Sequence, residues 1–192
     1  GKLTVETSLN YGFPLPSIYE AFNARVESNF QNWWNDKLEE KEIDINIEFL
    51  SNTIYFARLA TMVQGLLFIE HISSTENLEI NLKEVLQNWS AGCIIRSDLL
   101  KELGGVNLSN TITSSGFVQN TLLENLDSVK NVIKTCIDGS ISIPVITSSY
   151  NWFVGTSNSF NPSSLIQAQR DYFGAHQVQL NNSDEFIHLD WD

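Results

Sequence analysis

The longest apolar stretch of the chain runs from Ile54 to Ile72. Within and around it, apolar residues recur at steps of three or four, which is the spacing of one face of an α-helix. A helix with so little polar surface is predicted to be the central buried helix of an all-α domain. The main stripe comprises Ile47, Leu50, Ile54, Ala57, Thr61, Gly65, Phe68 and Ile72, and a neighbouring face comprises Phe49, Phe56, Ala60, Val63 and Leu67.

This stretch has nineteen residues, the length needed to span a bilayer, but it contains the charged residues Arg58 and Glu70. Near the centre of a membrane, Arg58 alone would cost about 2.5–3.5 kcal/mol. We therefore predict a helix buried in protein and no membrane as a partner.

Other segments with helical spacing flank the central helix and complete a multi-helix, all-α fold. A helix from Ile18 to about Leu38 is predicted, and the pair Trp33–Trp34 is expected to anchor the core, as aromatic pairs usually do. From Gln177 onward no helical period persists, so an extended, partly irregular tail is expected. Further helices are predicted over 82–89, 91–103, 118–137 and 144–154, with a Ser/Thr/Asn-rich loop over 107–116.

The composition is that of one folded unit, with 42% hydrophobic and 18% charged residues. Eleven basic and twenty-three acidic residues give a formal net charge of −12, which repels nucleic acid and anionic membranes. Nucleic-acid binding is therefore excluded as a function class. Cys93 and Cys136, 43 positions apart, form neither a disulfide framework nor a metal motif, and they fit a reducing, cytoplasmic compartment.

The segment 164–176 places Arg170 and His176 on either side of Gly174. On an unbroken helix, residues six apart point about 240° from each other, so the two cations could not share a ligand. A helix that begins near Ser163 or Ser164 and stops at Gly174 in a left-handed C-cap would fold the chain back. The pair would then form a cationic corner for a phosphate or carboxylate. The alternative is a surface helix whose Arg170 pairs with a neighbouring acid such as Asp171.

The thirteen residues Ser-Leu-Ile-Gln-Ala-Gln-Arg-Asp-Tyr-Phe-Gly-Ala-His of this segment resemble the C-terminal signature of the decarboxylating 6-phosphogluconate dehydrogenases. Further segments along the whole chain resemble short sequence motifs of that family. They read Gly-Lys-Leu-Thr at 1–4, Gly-Phe-Pro at 12–14, Phe-Asn-Ala-Arg at 22–25, Gly-Cys-Ile-Ile-Arg-Ser at 92–97, and Phe-Ile-His at 186–188 with Trp191. Departures include Leu3 in place of the usual tryptophan and the absence of the closing Thr-Asn pair.

The resemblance implies a partial helical substrate-binding and dimerisation domain over residues 1–160, followed by a C-terminal helix and tail over 161–192. It implies that Arg25, Arg170 and His176 bind substrate, the latter two in the active site of the neighbouring subunit of a homodimer. The intact enzyme would use NADP to convert 6-phosphogluconate to ribulose 5-phosphate in the pentose phosphate pathway. Arg96, within the block 92–97, is expected to be a structural arginine that is paired inside the helical core.

Parts of such an enzyme are missing from the chain. It has no G-x-G-x-x-G turn for a dinucleotide, and Gly104–Gly105 is its only glycine pair. The catalytic lysine of the family would lie before Gly1, and a first residue other than Met leads us to expect a piece of a longer protein. We therefore expect no catalytic residue, bound cofactor or turnover in this chain alone. The alternative is a non-enzymatic helical dimerisation or interaction module derived from the family.

Overall fold

The structure is a computed structural model of the 192-residue chain and describes residues 1–30, 33–35, 38–39, 41–92, 95, 97–106, 111–158, 162–180 and 183–191. Its elements are almost all helical, which confirms the predicted all-α class. The α-helices are α1 (Lys2–Asn10), α2 (Pro16–Glu27), α3 (Ile47–Thr75), α4 (Leu82–Gly92), α5 (Asp98–Gly105), α6 (Gly116–Asp138), α7 (Pro144–Ser157) and α8 (Ser163–Gly174). Two short 3-10 helices cover Ser28–Phe30 and Ile112–Ser114, and two strands are β1 (Val178–Gln179) and β2 (Phe186–Ile187).

Contacts divide the chain into two compact units, Gly1–Trp152 and Phe153–Asp192, which we call unit 1 and unit 2. In sequence the division falls inside α7. Unit 1 holds the apolar core, and unit 2 holds α8 with the tail that follows it.

The core of unit 1 is the packing of α3 against α6. Helix α3 starts at Asn46, whose Oδ1 accepts hydrogen bonds from the backbone N–H groups of Glu48 at 2.8 Å and Phe49 at 3.1 Å. Each large apolar side chain that α3 and α6 bury stabilises the fold by roughly 1.5–3 kcal/mol. The fully inaccessible ones include Phe56, Leu59, Val63, Leu66 and Val129.

The covered face of α3 differs in part from the predicted stripe. Phe56, Ala60 and Val63 of the neighbouring face have no exposed surface, whereas Ile47 and Ile54 of the stripe are 77% and 47% exposed. Ile54 and other stripe residues line an open apolar groove of about 510 Å³. The helix is apolar on two faces, so its periodicity could predict the helix but not which face the other helices of unit 1 cover.

The prediction for the first long helix was wrong at its C-terminal end. Helix α2 ends at Glu27 and is followed by one 3-10 turn, and the described residues 33–35 and 38–39 are not helical. Trp33 and Trp34 are 72% and 79% exposed rather than core anchors, and the Trp33 ring lies 4.8 Å from that of Phe30. Polar residues surround the pair in sequence, and the described residues 33–35 form no helix that would carry it into the core.

The segment predicted as a helix over 91–103 is divided. Helix α4 extends to Gly92, and α5 begins only at Asp98, after Ser97 in an extended conformation. Cys93 and Arg96 lie outside the described residues, so the structural role expected for Arg96 stays a prediction. The helices predicted over 118–137 and 144–154 are confirmed as α6 and α7.

In unit 2, the tail after α8 is extended, as predicted. Strands β1 and β2 pair antiparallel, with Val178 opposite Ile187 and Gln179 opposite Phe186. Across the described residues, no helix combines the length and hydropathy of a membrane-spanning segment.

Candidate functional site

The turn that ends α8 brings Arg170 and His176 together. The helix begins at Ser163, as predicted, and ends at Gly174. The next residue, Ala175, adopts the left-handed conformation with φ 49° and ψ 40°, and its N–H donates to the carbonyl of Asp171 at 2.8 Å. This reversal removes the angular separation that an unbroken helix would impose on residues six apart.

Arg170 and His176 line the same open cavity, whose volume is about 400 Å³. Both side chains belong to exposed residues, so their charged or polar ends are accessible to a ligand. The lining contains no carboxylate: it consists of Ile166, Gln169, Arg170, Phe173, Gly174 and His176. Within a chain of net charge −12, this cavity is a local cationic surface suited to an anion.

The left-handed conformation predicted at Gly174 was wrong, but the chain reverses there as predicted and brings His176 to the cavity that Arg170 lines. The left-handed residue is Ala175, and Gly174 is the last residue of the helix. A Cβ at position 174 would lie 2.9 Å from Nε2 and 3.0 Å from Cδ2 of His176. Because those distances are shorter than carbon contacts allow, the absence of a side chain at Gly174 is what admits the His176 ring beside the helix end.

Arg170 does not pair with Asp171, and the surface ion pair given as the alternative is not formed among the described residues. The Arg170 Nη1 donates to Oε1 of Gln167 at 2.9 Å. Among the described residues, no carboxylate lies within ion-pair distance of the Arg170 guanidinium. The same Gln167 side chain donates through Nε2 to the carbonyl of Gln177 at 2.5 Å, which links the arginine to the turn that carries His176.

Asp171 has a different role, which the sequence analysis missed. Its side chain has no exposed surface, and its carboxylate accepts four hydrogen bonds from the residues after α8. Oδ1 accepts from the backbone N–H of Gln177 at 2.7 Å and from Nδ1 of His188 at 3.0 Å. Oδ2 accepts from the backbone N–H of Leu189 at 2.9 Å and from Nε1 of Trp191 at 3.0 Å. An ionised carboxylate offers about four acceptor sites, so these four hydrogen bonds occupy all of them.

The environment of Asp171 favours its charged form. Burial by itself would raise the pKa of this carboxyl group, but the hydrogen bonds from His188, Leu189, Trp191 and Gln177 together hold its pKa well below the usual range. Since an ionised carboxylate can only accept, His188 must carry a hydrogen on Nδ1. The donors lie 6, 17, 18 and 20 residues after Asp171, so no local sequence pattern indicates the cluster.

Arg25, the third predicted substrate residue, lies on α2 in unit 1. This arginine is exposed, and among the described residues it forms no ion pair, neither with Glu20 nor with Glu27 on the same helix. Glu27 instead accepts a hydrogen bond from Asn23 at 2.9 Å. The guanidinium of Arg25 is therefore not engaged with an acid of the part of the chain that the structure describes.

A buried polar network fixes the start of α2, the helix that carries Arg25. The Gln64 side chain accepts from the Ser17 N–H at 3.1 Å and donates through Nε2 to Ser17 Oγ at 2.8 Å. Ser17 Oγ lies 2.8 Å from Ser149 Oγ, and Ser149 donates to the Val145 carbonyl at 2.7 Å. The network joins α2, α3 and α7 within unit 1, which satisfies polar groups that would be costly to bury alone.

The remaining histidines fit structural roles. His71 lies against the rings of Phe13 and Tyr11, with centroid distances of 5.0 and 6.3 Å. His188 is bonded to Asp171, as described. Among the described residues, no group of three His, Cys, Asp or Glu side chains could hold a metal ion.

The chain is similar to one family along its whole length. Residues 1–191 match the family described as 6-phosphogluconate dehydrogenase, C-terminal domain. The chain is 29% identical over 215 residues to the decarboxylating 6-phosphogluconate dehydrogenase of Lactococcus lactis subsp. lactis, covering all of this chain and 43% of the relative. It is also 29% identical to the Synechocystis enzyme over 207 residues and to the Mus musculus enzyme over 211 residues. Each of these matches covers all of this chain and 43% of the relative.

A solved structure is similar in fold as well as sequence. The Plasmodium falciparum 6-phosphogluconate dehydrogenase, studied in apo form, with its cofactor NADP+ and with its substrate 6-phosphogluconate, superposes with a TM-score of 0.79 at 27% identity. The superposition covers all of this chain and 44% of that protein. The chain thus spans less than half the length of the relatives that it matches.

Proposed function

Since the chain belongs to the 6-phosphogluconate dehydrogenase family, matching its C-terminal domain, we propose that it forms the C-terminal part of an NADP-dependent, decarboxylating 6-phosphogluconate dehydrogenase. Such an enzyme converts 6-phosphogluconate to ribulose 5-phosphate in the pentose phosphate pathway, and we assign it to the cytoplasm. The chain's contribution is the binding of the substrate anion and the dimerisation of the subunits.

The observation that carries the proposal is the cavity shared by Arg170 and His176. Arginine offers a planar fork of donors that matches a phosphate, and histidine can donate to an anionic or hydroxyl oxygen. The cavity lies at the C-terminal end of α8, where the helix dipole is negative and disfavours an anion. The side-chain cations must therefore supply the attraction, which makes Arg170 the largest contributor. Arg25 is proposed as a further substrate contact.

The surface of α8 supports the proposed homodimer. Apolar side chains next to the cationic pair are largely exposed in the chain, and exposed apolar patches mark protein contacts. They are Leu165 at 66%, Ile166 at 59%, Tyr172 at 60% and Phe173 at 82%. Because Ile166 and Phe173 also line the cavity, a subunit that covers them would complete the site. We propose that Arg170 and His176 act in the active site of the partner subunit.

The glycine pair Gly104–Gly105 does not fit the pyrophosphate of NADP. Gly104 and Gly105 are the last two residues of α5, so a pyrophosphate there would meet the negative end of a helix. A dinucleotide site instead uses a glycine turn at a helix N-terminus. We assign no step of the chemistry and no cofactor contact to the described residues. The catalytic lysine and the cofactor domain are proposed to belong to a part of the enzyme outside this sequence.

The proposal is tested by Arg170→Ala in an intact enzyme that carries this sequence. Loss of a charge-assisted pair of hydrogen bonds is expected to raise the KM for 6-phosphogluconate by about 10- to 100-fold. Arg58→Ala removes the same charge from an exposed residue of α3 and should leave the KM unchanged. Circular dichroism should show both variants folded. A KM that does not respond to Arg170→Ala would remove the phosphate site from the proposal.

A second experiment examines the chain alone. The 192-residue chain should sediment as a dimer in analytical ultracentrifugation, and Phe173→Asp should shift it toward the monomer. With 6-phosphogluconate and NADP it should produce no NADPH absorbance. Turnover by the chain alone would contradict our placement of the cofactor site outside it.

A further inference from the structure

The buried side chain of Asp171 belongs to the residue that follows Arg170, which lines the cationic cavity. It shares α8 with Arg170, and its four donors come from two separate places in the tail. Gln177 belongs to the turn that holds His176, whereas His188, Leu189 and Trp191 belong to the end of the chain. One side chain therefore joins three parts of unit 2: the last turn of α8, the reversal after it and the terminal segment.

The reversal needs such support. Ala175 and Gln177 both have positive φ values, 49° and 64°, which residues with side chains rarely adopt. Asp171 Oδ1 accepts the Gln177 N–H at 2.7 Å, and Gln167 Nε2 donates to the Gln177 carbonyl at 2.5 Å. Both backbone polar groups of Gln177 are thus held by side chains of α8. Since His176 lies between the two residues of positive φ, these bonds hold the backbone that carries its ring.

Each of the two carboxylate oxygens of Asp171 accepts two of the four hydrogen bonds. Oδ1 holds Gln177 and His188, and Oδ2 holds Leu189 and Trp191. The Trp191 ring also packs edge-on against that of Tyr172, with centroids 5.6 Å apart. The terminal segment is thereby fixed to the helix that carries Arg170, and the Asp171 side chain at its centre has no exposed surface.

We propose that Asp171 is a positioning residue for the substrate-anion site. Its carboxylate places the His176 ring beside Arg170 by closing the 175–177 turn, and it couples that turn to residues 188–191. The consequence for substrate binding rests on the phosphate site proposed above. The consequence for the position of His176 does not depend on any ligand.

The test is Asp171→Asn in the 192-residue chain, followed by NMR. The amide retains one acceptor oxygen but presents N–H groups to two of the four donors. In the wild-type chain, the His176 ring should show a nuclear Overhauser effect to the Gly174 α-protons, and the Trp191 indole N–H should be protected from exchange. Both signals should be lost in Asp171→Asn. Asp184→Asn, the same charge change at an exposed residue of the tail, should retain both.

Titration with 6-phosphogluconate measures the affinity of the variant. The loss of charge alone and the loss of positioning change this affinity in opposite directions. Removing a negative charge near the cavity should strengthen anion binding if charge were the only effect. We expect Asp171→Asn to weaken binding by about tenfold, the equivalent of one charge-assisted hydrogen bond. Tighter binding, or retention of the His176 and Trp191 signals in Asp171→Asn, overturns the proposal.

Two further variants distinguish a failure of the proposed phosphate site from a failure of the positioning role of Asp171. Arg170→Ala should abolish 6-phosphogluconate shifts but retain the contact between His176 and Gly174. If the wild-type chain binds no 6-phosphogluconate, the phosphate site fails while the ring contact still decides the role of Asp171. Trp191→Phe removes one donor and keeps an aromatic ring. It should accelerate amide exchange at Leu189 and weaken the His176 contact, and no change in either would overturn the coupling even if Asp171→Asn failed to fold.

Discussion

Unit 1 is organised around apolar side chains, whereas the centre of unit 2 is a carboxylate. In unit 1, the inaccessible side chains are mainly aliphatic and aromatic residues of α3 and α6. In unit 2, Asp171 is the described residue with no exposed surface, and the buried apolar residues Phe153 and Val178 each retain 8%. A segment too small for a large apolar core is ordered by one fully satisfied polar cluster instead.

The two kinds of centre differ in how they respond to change. An apolar core is non-directional and tolerates substitutions that preserve volume. A buried carboxylate is directional, because each oxygen must meet donors at defined positions and a missing partner leaves a desolvated charge. Placing His176, a proposed substrate contact, next to the directional centre fixes its position more closely than an apolar contact could.

The largest effect is expected in the core of unit 1. Leu59→Ala removes a fully buried side chain of α3 and should lower the free energy of unfolding by about 2–5 kcal/mol, through lost burial and a residual cavity. Ile47→Ala, on the same helix but 77% exposed, should change it by less than about 0.5 kcal/mol. Urea unfolding followed by circular dichroism measures both. Equal losses would mean that the α3 face we describe as covered is not the stabilising one.

The sequence predicted the helical class and the long helices because their apolar periodicity is local. It failed at Trp33 and Trp34, since periodicity does not show where a helix ends, and at the exposed part of the α3 stripe, because two faces of that helix are apolar. At the site, the reversal expected at Gly174 indicated that Arg170 and His176 could meet, and the family resemblance implied that they bind substrate. The role of Asp171 was not predicted, because its donors lie up to 20 residues away and meet it only in the folded chain.

Acid should affect unit 2 through Asp171. The folded-state pKa of this carboxyl group is depressed, so its stabilising contribution is present above its unfolded pKa of about 3.9 and is lost as the pH falls below that value. Protection of the Trp191 indole N–H should therefore decrease as the pH is lowered from about 4. The measurement is hydrogen exchange by NMR. Asp171→Asn should remove this pH dependence, and a wild-type signal that is constant down to pH 2 would contradict it.

Gly174→Ala should separate stability from binding. The residue is helical, and alanine is favoured over glycine in a helix interior by about 1 kcal/mol, so a smaller gain in thermal stability is expected at this last position. The added Cβ would displace the His176 ring, whose Nε2 lies 2.9 Å from its position, and weaken 6-phosphogluconate binding. Differential scanning calorimetry and titration measure the two effects. Ala168→Gly, at a helical position outside the cavity lining, should lower stability and leave binding unchanged.

The smallest effect on the free energy of unfolding is expected for a polar contact within unit 1, between Tyr55 and Glu102. Tyr55 on α3 donates to Glu102 on α5 at 2.5 Å, and burial together with this hydrogen bond raises the pKa of Tyr55 to about 12. A raised folded pKa stabilises below the unfolded value of about 10, and that contribution is lost as the pH rises through 12. Because the bond is exposed, Tyr55→Phe should cost no more than about 1 kcal/mol in urea unfolding at pH 7. A cost comparable to that of Leu59→Ala would mean that unit 1, like unit 2, depends on directional polar contacts.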